Sequence, residues 1–438
     1  MAARGDMRTR RELLQVALVG PLAAACAPDL LLGNPGVVRI GVSWSGSELA
    51  AFRAVLARLG YDNRRVDVVP LGDEIETAFT AGGRSAPDIV MLPRAGRVRE
   101  LAEQRKLRPV AETLWKDELG WRYPDVWRQL LWHNEKPYGV PFKAADKSLV
   151  WYDRQLVERY GLGDPGRWTI ADWVKSMEVL AETPVRLLAL GAADGWVLTD
   201  VFENALLAQS PPFYGEVAAA RDDRAWDDAA VRAAFGHLGA LWGRRHAFPG
   251  GVAAALTRQF PDAVREVFEH RRAVMVVEPD FAEPIVRAAV RRSGRRTQDV
   301  VGVAGFPAVD QQKVPPRIVG GDVMVVTESA TDRAMELVAA LATPAAPLPW
   351  IEDYGGFIAP NLRTNARYSE LLAPSADTLW EHSAFDLSDR IGAVGGRNGL
   401  WRILTDFLTT IGDGATERLD DATDHAIAAL DAVDRRRR

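Results

Sequence analysis

The chain has 438 residues, more than one hydrophobic core usually holds, so we expect two or three domains. Hydrophobic residues make up 47% of the chain and charged residues 26%, a balance that predicts a folded rather than a disordered protein. The net charge of −5 gives no basic excess for nucleic-acid phosphates, and we expect no nucleic-acid partner. One cysteine excludes an intramolecular disulfide and, with six histidines, argues against a metal site. The fourteen tryptophans indicate heavy cores or stacking surfaces for flat ligands.

Residues 1–25 have the pattern of an export signal. Four arginines precede an apolar run, Leu13 to Ala25, that is too short to span a membrane as a helix. The segment Thr9 to Leu14 resembles the twin-arginine export motif, although Leu13 stands where phenylalanine is commoner.

Cys26 follows three alanines at the end of this run, and Leu22 to Cys26 resembles a bacterial lipobox. On that interpretation the Cys26 thiol carries the lipid and holds the protein at the extracytoplasmic face of the membrane. The alternative is a buried structural cysteine near the end of an ordinary signal peptide.

The next hundred residues alternate between β-branched runs and helical spacing. This alternation predicts a parallel sheet with helices on both faces, and ligands of such sheets bind beyond the carboxyl ends of the strands. The predicted elements are strand 36–43, helix 48–59, strand 66–71, helix 74–80, strand 88–92 and helix 98–104.

Beyond residue 145 the pattern becomes mainly helical, with strand signals returning near residue 300. Such an order is expected if the chain crosses three times between two lobes. The predicted helices are 168–182, 196–209, 227–242, 260–270, 284–292, 331–341, 400–411 and 415–433, and the predicted strands are 300–304 and 323–326.

Several segments, in this order, resemble the family 1 extracellular solute-binding proteins of ABC importers, the group that includes maltose-binding protein. The pair 147–152 and 195–200 looks most like the α-glucoside-binding branch. The segments are Pro87 to Pro93, Leu101 to Val110, Tyr138 to Phe142, Lys147 to Asp153, Trp168 to Trp173, Gly320 to Asp322 and Tyr354 to Phe357.

The resemblance implies an α/β, two-lobe periplasmic-binding-protein fold of type II, with a hinge and an interlobe cleft. The N-terminal lobe then takes residues 36–143 and 303–344, and the C-terminal lobe takes 146–300 and 347–438. Pro141 to Asp146 is placed to be one hinge crossing.

Sugars offer flat C–H patches edged with hydroxyls, so a sugar site needs aromatic faces and polar side chains. In the first half of the chain, Trp44 is a candidate stacking face and Glu48 a hydroxyl acceptor; the alternatives are core packing for Trp44 and a helix start for Glu48. Asp73 either accepts hydroxyls or caps a helix. Arg94 either donates into the cleft or is solvated.

Lys143 and Lys147 bracket the first crossing, where Lys147 either binds ligand or forms a hinge salt bridge. Trp151 and Tyr152 are adjacent in a strand and point to opposite faces, so one of the two lies in the core. Trp151 is the candidate for the ligand site.

Further along, Trp196, Asp200 and Glu203 share one helix face, which is an awkward face for a buried core. The remaining candidates follow strands or occupy glycine-rich turns, where backbone amides approach a ligand closely. They are Glu278 and Asp280, for which an ordinary turn is the alternative, together with Gly321, Asp322, Tyr354 and Gly356.

We therefore expect a protein without cofactor or enzymatic activity that captures a sugar and delivers it to an ABC permease, as a monomer anchored to the membrane by lipid. A sugar-sensing or adhesive lipoprotein is the alternative. A glycosidase would require two carboxylates about 5 to 9 Å apart. The chain has no Gly-x-Ser-x-Gly, phosphate-loop, dinucleotide or His-Glu-x-x-His motif.

Overall fold

The computed structural model describes residues 36–79, 86–220, 225–311 and 313–435. Its strands are β1 (Val38–Val42), β2 (Val66–Pro70), β3 (Ile89–Leu92), β4 (Leu107–Arg108), β5 (Lys116–Asp117), β6 (Gly120–Trp121), β7 (Trp132–His133), β8 (Lys136–Pro137), β9 (Val140–Asp146), β10 (Leu149–Asp153), β11 (Arg186–Ala189), β12 (Ala273–Val277), β13 (Val301–Gly305), β14 (Ile318–Thr327) and β15 (Ala384–Phe385).

The α-helices are α1 (Gly46–Arg58), α2 (Arg97–Glu103), α3 (Asp125–Leu131), α4 (Arg154–Tyr160), α5 (Ile170–Val179), α6 (Gly195–Gln209), α7 (Pro211–Ala219), α8 (Ala229–Trp242), α9 (Gly251–Thr257), α10 (Phe260–Phe268), α11 (Glu283–Arg292), α12 (Thr297–Val300), α13 (Asp332–Leu341), α14 (Ala373–Thr378), α15 (Leu387–Arg390), α16 (Arg402–Ile411) and α17 (Leu419–Arg435). The segment predicted as a helix at 74–80 is instead a 3₁₀ helix, Gly72–Phe79. Among the described residues, no helix combines the length and apolarity needed to cross a membrane.

The first lobe is built on a seven-stranded sheet. Its central order is β15-β14-β3-β1-β2, and β4 and β9 also pair with β14. β1 is parallel to both β2 and β3, as the alternating pattern predicts, whereas β14 runs antiparallel to β3. The carboxyl ends of β1 and β3 therefore lie at one edge of the sheet, and the loops that follow them face the second lobe.

The second lobe is built on a four-stranded mixed sheet of order β11-β12-β10-β13. Its two faces are covered by separate apolar clusters, because successive side chains of a strand point to opposite faces. Val150 and Met275 lie in one cluster, and Trp151 and Val276 lie in the other. The division of the chain expected at residue 303 is wrong, since β13 pairs with β10 in this second sheet.

The chain crosses between the two lobes three times, and the three crossings lie side by side. The first runs from β9 to β10 through Lys147 and Ser148, the second from β13 to β14, and the third from β15 to α15 through Asp386. Backbone hydrogen bonds join them: Lys147 N donates to Ile318 O, and Asp386 N donates to Val319 O. The crossings thus form one narrow hinge region.

The last segment also differs from the expected division. Trp350, Phe357 and Phe385 pack into the core of the first lobe, although residues 347–438 were expected in the second. Only from Leu387 onward does the chain enter the larger core of the second lobe. The reason is β15, which extends the first sheet through its pairing with Ile318 and Val319.

Candidate functional site

The first lysine of the hinge, Lys143, lies at the centre of an acidic and aromatic cluster between the lobes. Its side chain is 2% exposed and forms an ion pair with Glu48. Its ammonium lies 5.0 Å from the ring centre of Phe281 and 5.2 Å from that of Trp350. Burial alone would lower the pKa of Lys143, but the charges of Glu48, Asp322 and Asp280 outweigh it and raise that pKa. Lys143 is therefore a fixed cation.

The second lysine, Lys147, forms a similar cluster on the other side of the first crossing. Its ammonium lies 3.1 Å from Asp200 Oδ1 on α6 and also pairs with Asp386. Burial opposes its charge, yet the neighbouring carboxylates raise the pKa of Lys147 well above its usual value. Of the two alternatives for Lys147, the structure favours the hinge ion pair, which also holds a candidate ligand residue, Asp200.

Several acidic side chains beside these lysines have unsatisfied oxygens. Among the described residues, Asp200 Oδ2, Asp280 Oδ2 and both carboxylate oxygens of Glu278 are buried without a hydrogen-bond partner. Burial raises the pKa of Asp200 to about 7 and that of Asp280 to about 8, against the counteracting charges of Lys147 and Lys143. Buried acceptors of this kind are costly unless a donor reaches them, and sugar hydroxyls or amines are such donors.

Aromatic rings border this group of acids. Trp196, in the first turn of α6, is half-buried and lies 5.7 Å from Phe281 and 5.4 Å from Phe260, measured between ring centres. Tyr354 is also half-buried. In the turn after it, the Gly356 amide donates a hydrogen bond to Glu283 Oε2 at 2.9 Å. The expected combination of aromatic faces with carboxylates is thus present around Trp196, Asp200 and Glu278.

Arg94 bridges the lobes. Its guanidinium donates to Glu76 in the first lobe at 2.9 Å and to the carbonyl oxygen of Gly392 in the second at 2.7 Å. Next to it, Gly96 lies so close to Asp389 that a Cβ there would overlap the Asp389 carbonyl oxygen. Arg94 is therefore neither solvated nor free to donate widely into a cleft; it links two lobes that are in contact.

Trp44 and Asp322 meet in the first lobe. The Trp44 indole N–H donates to Asp322 Oδ2 at 3.2 Å, while its ring is 4% exposed and packs against Phe52 and Trp350. Burial raises the pKa of Asp322 to about 6, against the charge of Lys143. Trp44 is therefore a core residue, which was the alternative to a stacking face. Asp322 is a polar neighbour of Lys143.

Gly321 precedes Asp322 on β14, where the ladder with β9 shifts register after Asp322. Its φ is 143°, and a Cβ there would overlap the carbonyl oxygen of Lys143. Only glycine permits this close strand approach, so Gly321 positions Lys143 and Asp322 rather than offering an open turn.

Two candidates are enclosed by protein. The Trp151 ring is fully buried, and its indole N–H donates to Glu278 O at 2.9 Å, so the ring has no open face. Glu203 accepts hydrogen bonds from the Leu387 and Ser388 amides and from the Tyr214 hydroxyl. Glu203 therefore anchors the third crossing to α6, and we correct both residues from ligand contacts to structural ones.

Two candidates cannot be placed. The side chain of Asp73, together with residues 1–25 and Cys26, lies outside the described residues. Four residues of the interlobe region were missed from the sequence: Phe281, Glu283, Asp386 and Asp389. The motif Asp386-Leu-Ser-Asp389 carried a helix-start signal, and Asp386 does cap α15, but nothing local to it indicates Lys147 as a partner.

No family model matches the chain. It is 28% identical over 337 residues to the osmoprotective compounds-binding protein GgtB of Synechocystis, covering 74% of this chain and 76% of the relative. It is 25% identical over 394 residues to the α-glucosides-binding periplasmic protein AglE of Rhizobium meliloti, covering 83% and 82%.

The chain is a homologue of ABC-transporter solute-binding proteins. This confirms the resemblance read from the sequence, and the relatives are binding proteins, not enzymes. A solved chitin oligosaccharide-binding protein shares the fold, with a TM-score of 0.71 and 14% identity, covering 92% of this chain and all of that one. The expected two-lobe α/β fold of solute-binding proteins is confirmed.

Proposed function

We propose that this protein captures a small carbohydrate between its lobes outside the cytoplasm and delivers it, as a monomer, to the permease of an ABC importer. The observation that carries the proposal is the row of buried acceptors without donors, Asp200 Oδ2 and both oxygens of Glu278, beside the half-buried ring of Trp196. Sugar hydroxyls supply donors to such acceptors, and the sugar ring supplies the apolar face that packs on an indole.

The relatives support this ligand class. One is named for osmoprotective compounds and the other for α-glucosides. The second name makes an α-glucoside the first ligand class to test.

Capture follows from the lobe contacts. Hydrogen bonds from Arg94 to Gly392 and from Gly356 to Glu283 cross from one lobe to the other, so the two lobes are in direct contact. A ligand that touches both lobes binds the closed form better than the open one and shifts the population toward it by that difference in affinity. The permease then recognises the closed pair of lobes.

Isothermal titration against a panel of α-glucosides, other oligosaccharides, peptides and polyamines tests the proposal. We expect micromolar or tighter binding of at least one α-glucoside and loss of about tenfold or more in Asp200→Asn, since a hydrogen bond to a charged acceptor is lost. Glu112→Gln, an exposed carboxylate in the first lobe, is the matched control. Binding of peptides or polyamines with no carbohydrate binding at millimolar concentration would overturn it.

We also propose that Cys26 carries a lipid that anchors the exported protein to the membrane. The support is the sequence alone: the cysteine directly follows a short apolar run ending in three alanines. Metabolic labelling with an alkyne fatty acid is expected to mark the wild type and not Cys26→Ala. Absence of label in the wild type, or label that persists in Cys26→Ala, contradicts the anchor.

A further inference from the structure

Glu278 is held by its backbone while its side chain has no partner. It directly follows β12 and is 1% exposed. Its amide donates to Leu149 O at 3.2 Å, and its carbonyl oxygen accepts from the Trp151 indole at 2.9 Å. Within the described part of the chain, neither of its carboxylate oxygens receives a hydrogen bond. A fixed backbone with an unsatisfied buried carboxylate is typical of a ligand-binding group.

The charged side chains that act on Glu278 are acidic, as Glu278 itself is. They are Asp200 and Asp194, both at the start of α6. The two lysines of the interlobe region are already paired, Lys147 with Asp200 and Asp386 and Lys143 with Glu48. A neutral sugar hydroxyl would satisfy the hydrogen-bonding capacity of Glu278, but only a cation would also compensate the negative charge that this carboxylate carries once it is ionised, a charge that is otherwise costly to bury.

The walls beside Glu278 suit a cation as well as a sugar ring. Trp196 is half-buried and lies four residues before Asp200, and Phe281 lies three residues after Glu278. The two rings are in contact, with centres 5.7 Å apart. The Phe281 ring already has the Lys143 ammonium 5.0 Å from its centre, so the indole of Trp196 is the face that can attract a ligand ammonium or pack on the C–H face of a sugar.

We propose that the ligand is an amine-bearing sugar or polyol glycoside, and that Glu278, assisted by Asp200 Oδ2, binds its protonated nitrogen. The inference rests on the proposed function and deepens it: the site takes a polyhydroxyl compound with one positive charge in preference to the neutral parent. The ammonium supplies both the donors and the charge that Glu278 lacks.

The protonation of the site gives the proposal a second readout. Burial, with the charges of Asp200 and Asp194, raises the pKa of Glu278 well above its usual value, and burial raises that of Asp200 to about 7, with Lys147 opposing and Asp386 adding to the shift. Without a ligand, these two carboxyl groups therefore keep their protons to a higher pH than ordinary carboxyl groups do. An ammonium favours the ionised carboxylates, so its binding releases protons and is tighter at pH 8 than at pH 6.

Isothermal titration of the full-length protein with matched probes tests this. The probes are maltose and trehalose, each against derivatives in which one hydroxyl is replaced by an amine. We expect at least one amine to bind about tenfold tighter than its parent at pH 8 and to release protons, seen as a dependence of the heat on the buffer's ionisation enthalpy. Glu278→Gln, which keeps shape and folding, is expected to bring the amine-to-parent ratio to about one, whereas Glu112→Gln keeps the wild-type ratio.

The outcomes separate the two proposals. If the parent sugars bind and no amine binds more tightly, the amine proposal is overturned while the carbohydrate function stands. If the amine preference persists in Glu278→Gln, the assignment to Glu278 is wrong. If neither parents nor amines bind at millimolar concentration, the amine proposal fails, and the carbohydrate function fails with it when no other sugar of the wider panel binds.

Discussion

Asp146 and Arg317 form a buried ion pair that joins two of the three crossings between the lobes. Arg317 Nη2 donates to Asp146 Oδ2 at 2.9 Å, and the Ser375 hydroxyl donates to the same oxygen at 2.5 Å. Asp146 ends β9, Arg317 precedes β14, and Ser375 lies in α14 on the way to the third crossing. One carboxylate thus ties the three connecting segments together, which restricts how the hinge can deform.

Replacing Arg317 should cost more stability than an exposed arginine does. Arg317→Met leaves Asp146 buried without its cation, and breaking a buried pair from one side costs about 3 to 5 kcal/mol. We expect urea denaturation to show that loss, and Asp146→Asn in the same chain to restore part of it. Arg296→Met, which removes an exposed pair with Asp299, is the control and should stay within about 0.5 kcal/mol. Equal losses of unfolding free energy in the two variants would show that the hinge pair stabilises the protein no more than an exposed pair does.

Gly96→Ala should weaken ligand binding without unfolding either lobe. Gly96 has helical backbone angles, φ −63° and ψ −18°, so alanine is compatible with the first lobe. The added methyl group overlaps only the Asp389 carbonyl of the second lobe, and so it opposes the closed form. We expect affinity to fall about tenfold or more, with the melting temperature of the ligand-free protein nearly unchanged. Calorimetry measures the affinity, and small-angle scattering measures the loss of ligand-induced compaction.

The control for this experiment is Gly236→Ala in α8. A Cβ at Gly236 meets nothing within 4 Å, so the substitution should stabilise the helix by about 0.5 to 1 kcal/mol and leave affinity alone. Wild-type affinity in Gly96→Ala would mean that the contact between Gly96 and Asp389 is absent from the ligand-bound form.

The ligand-free protein should lose stability as the pH rises from about 5 to 8. In the folded state the pKa of Asp322 is raised to about 6, that of Asp200 to about 7 and that of Asp280 to about 8, chiefly by burial. Unfolded aspartates lose their protons near pH 4, so the folded state holds more protons in this window, and raising the pH favours unfolding.

Thermal melts at four pH values measure this trend. We expect the melting temperature to fall by at least a few degrees between pH 5 and 8. Asp200→Asn, which has no proton to lose, should flatten part of the slope. A melting temperature that rises steadily over the same range would show that these carboxylates are ionised and compensated in the folded protein.

The order of elements could be predicted from the sequence because strand and helix signals are local. The parallel pairing of β1 with β2 and β3 follows from that alternation. That the segment after residue 344 belongs to the first lobe could not be predicted. It depends on the pairing of β15 with Ile318 and Val319, which joins residues far apart in sequence and involves only two residues of each strand. Local patterns carry no information about such short, distant pairings.

The candidate site could be predicted in part for the same reason. Helical spacing placed Trp196, Asp200 and Glu203 on one face, and all three do face the interlobe region. Glu203 lies seven residues beyond Trp196, however, about 10 Å further along the helix axis. At that distance it meets the amides of Leu387 and Ser388, whose position depends on the third crossing and is invisible in the spacing of α6.

Glu203→Gln should therefore lower stability and leave ligand affinity nearly unchanged. The wild-type carboxylate accepts from the Leu387 amide at 2.7 Å, the Ser388 amide at 2.8 Å and the Tyr214 hydroxyl at 2.9 Å. Glutamine offers one acceptor oxygen and turns an NH₂ group toward the remaining donors, a mismatch that costs about 1 to 3 kcal/mol in a buried site. Tyr214→Phe removes only the hydroxyl and should cost less, about 1 kcal/mol.

Chemical denaturation and calorimetry on the same variants distinguish an anchor from a ligand contact. An anchor predicts a lower free energy of unfolding with affinity within about twofold of wild type, because Glu203 is 1% exposed and its oxygens are already occupied by donors from the third crossing. A ligand contact predicts a loss of affinity as the main effect, as we expect for Asp200→Asn, in which Lys147 keeps its ion pair with Asp386. The two carboxylates lie on one helix three residues apart, and only Asp200 retains an oxygen without a partner among the described residues, so the contrast between the two variants tests the assignment directly.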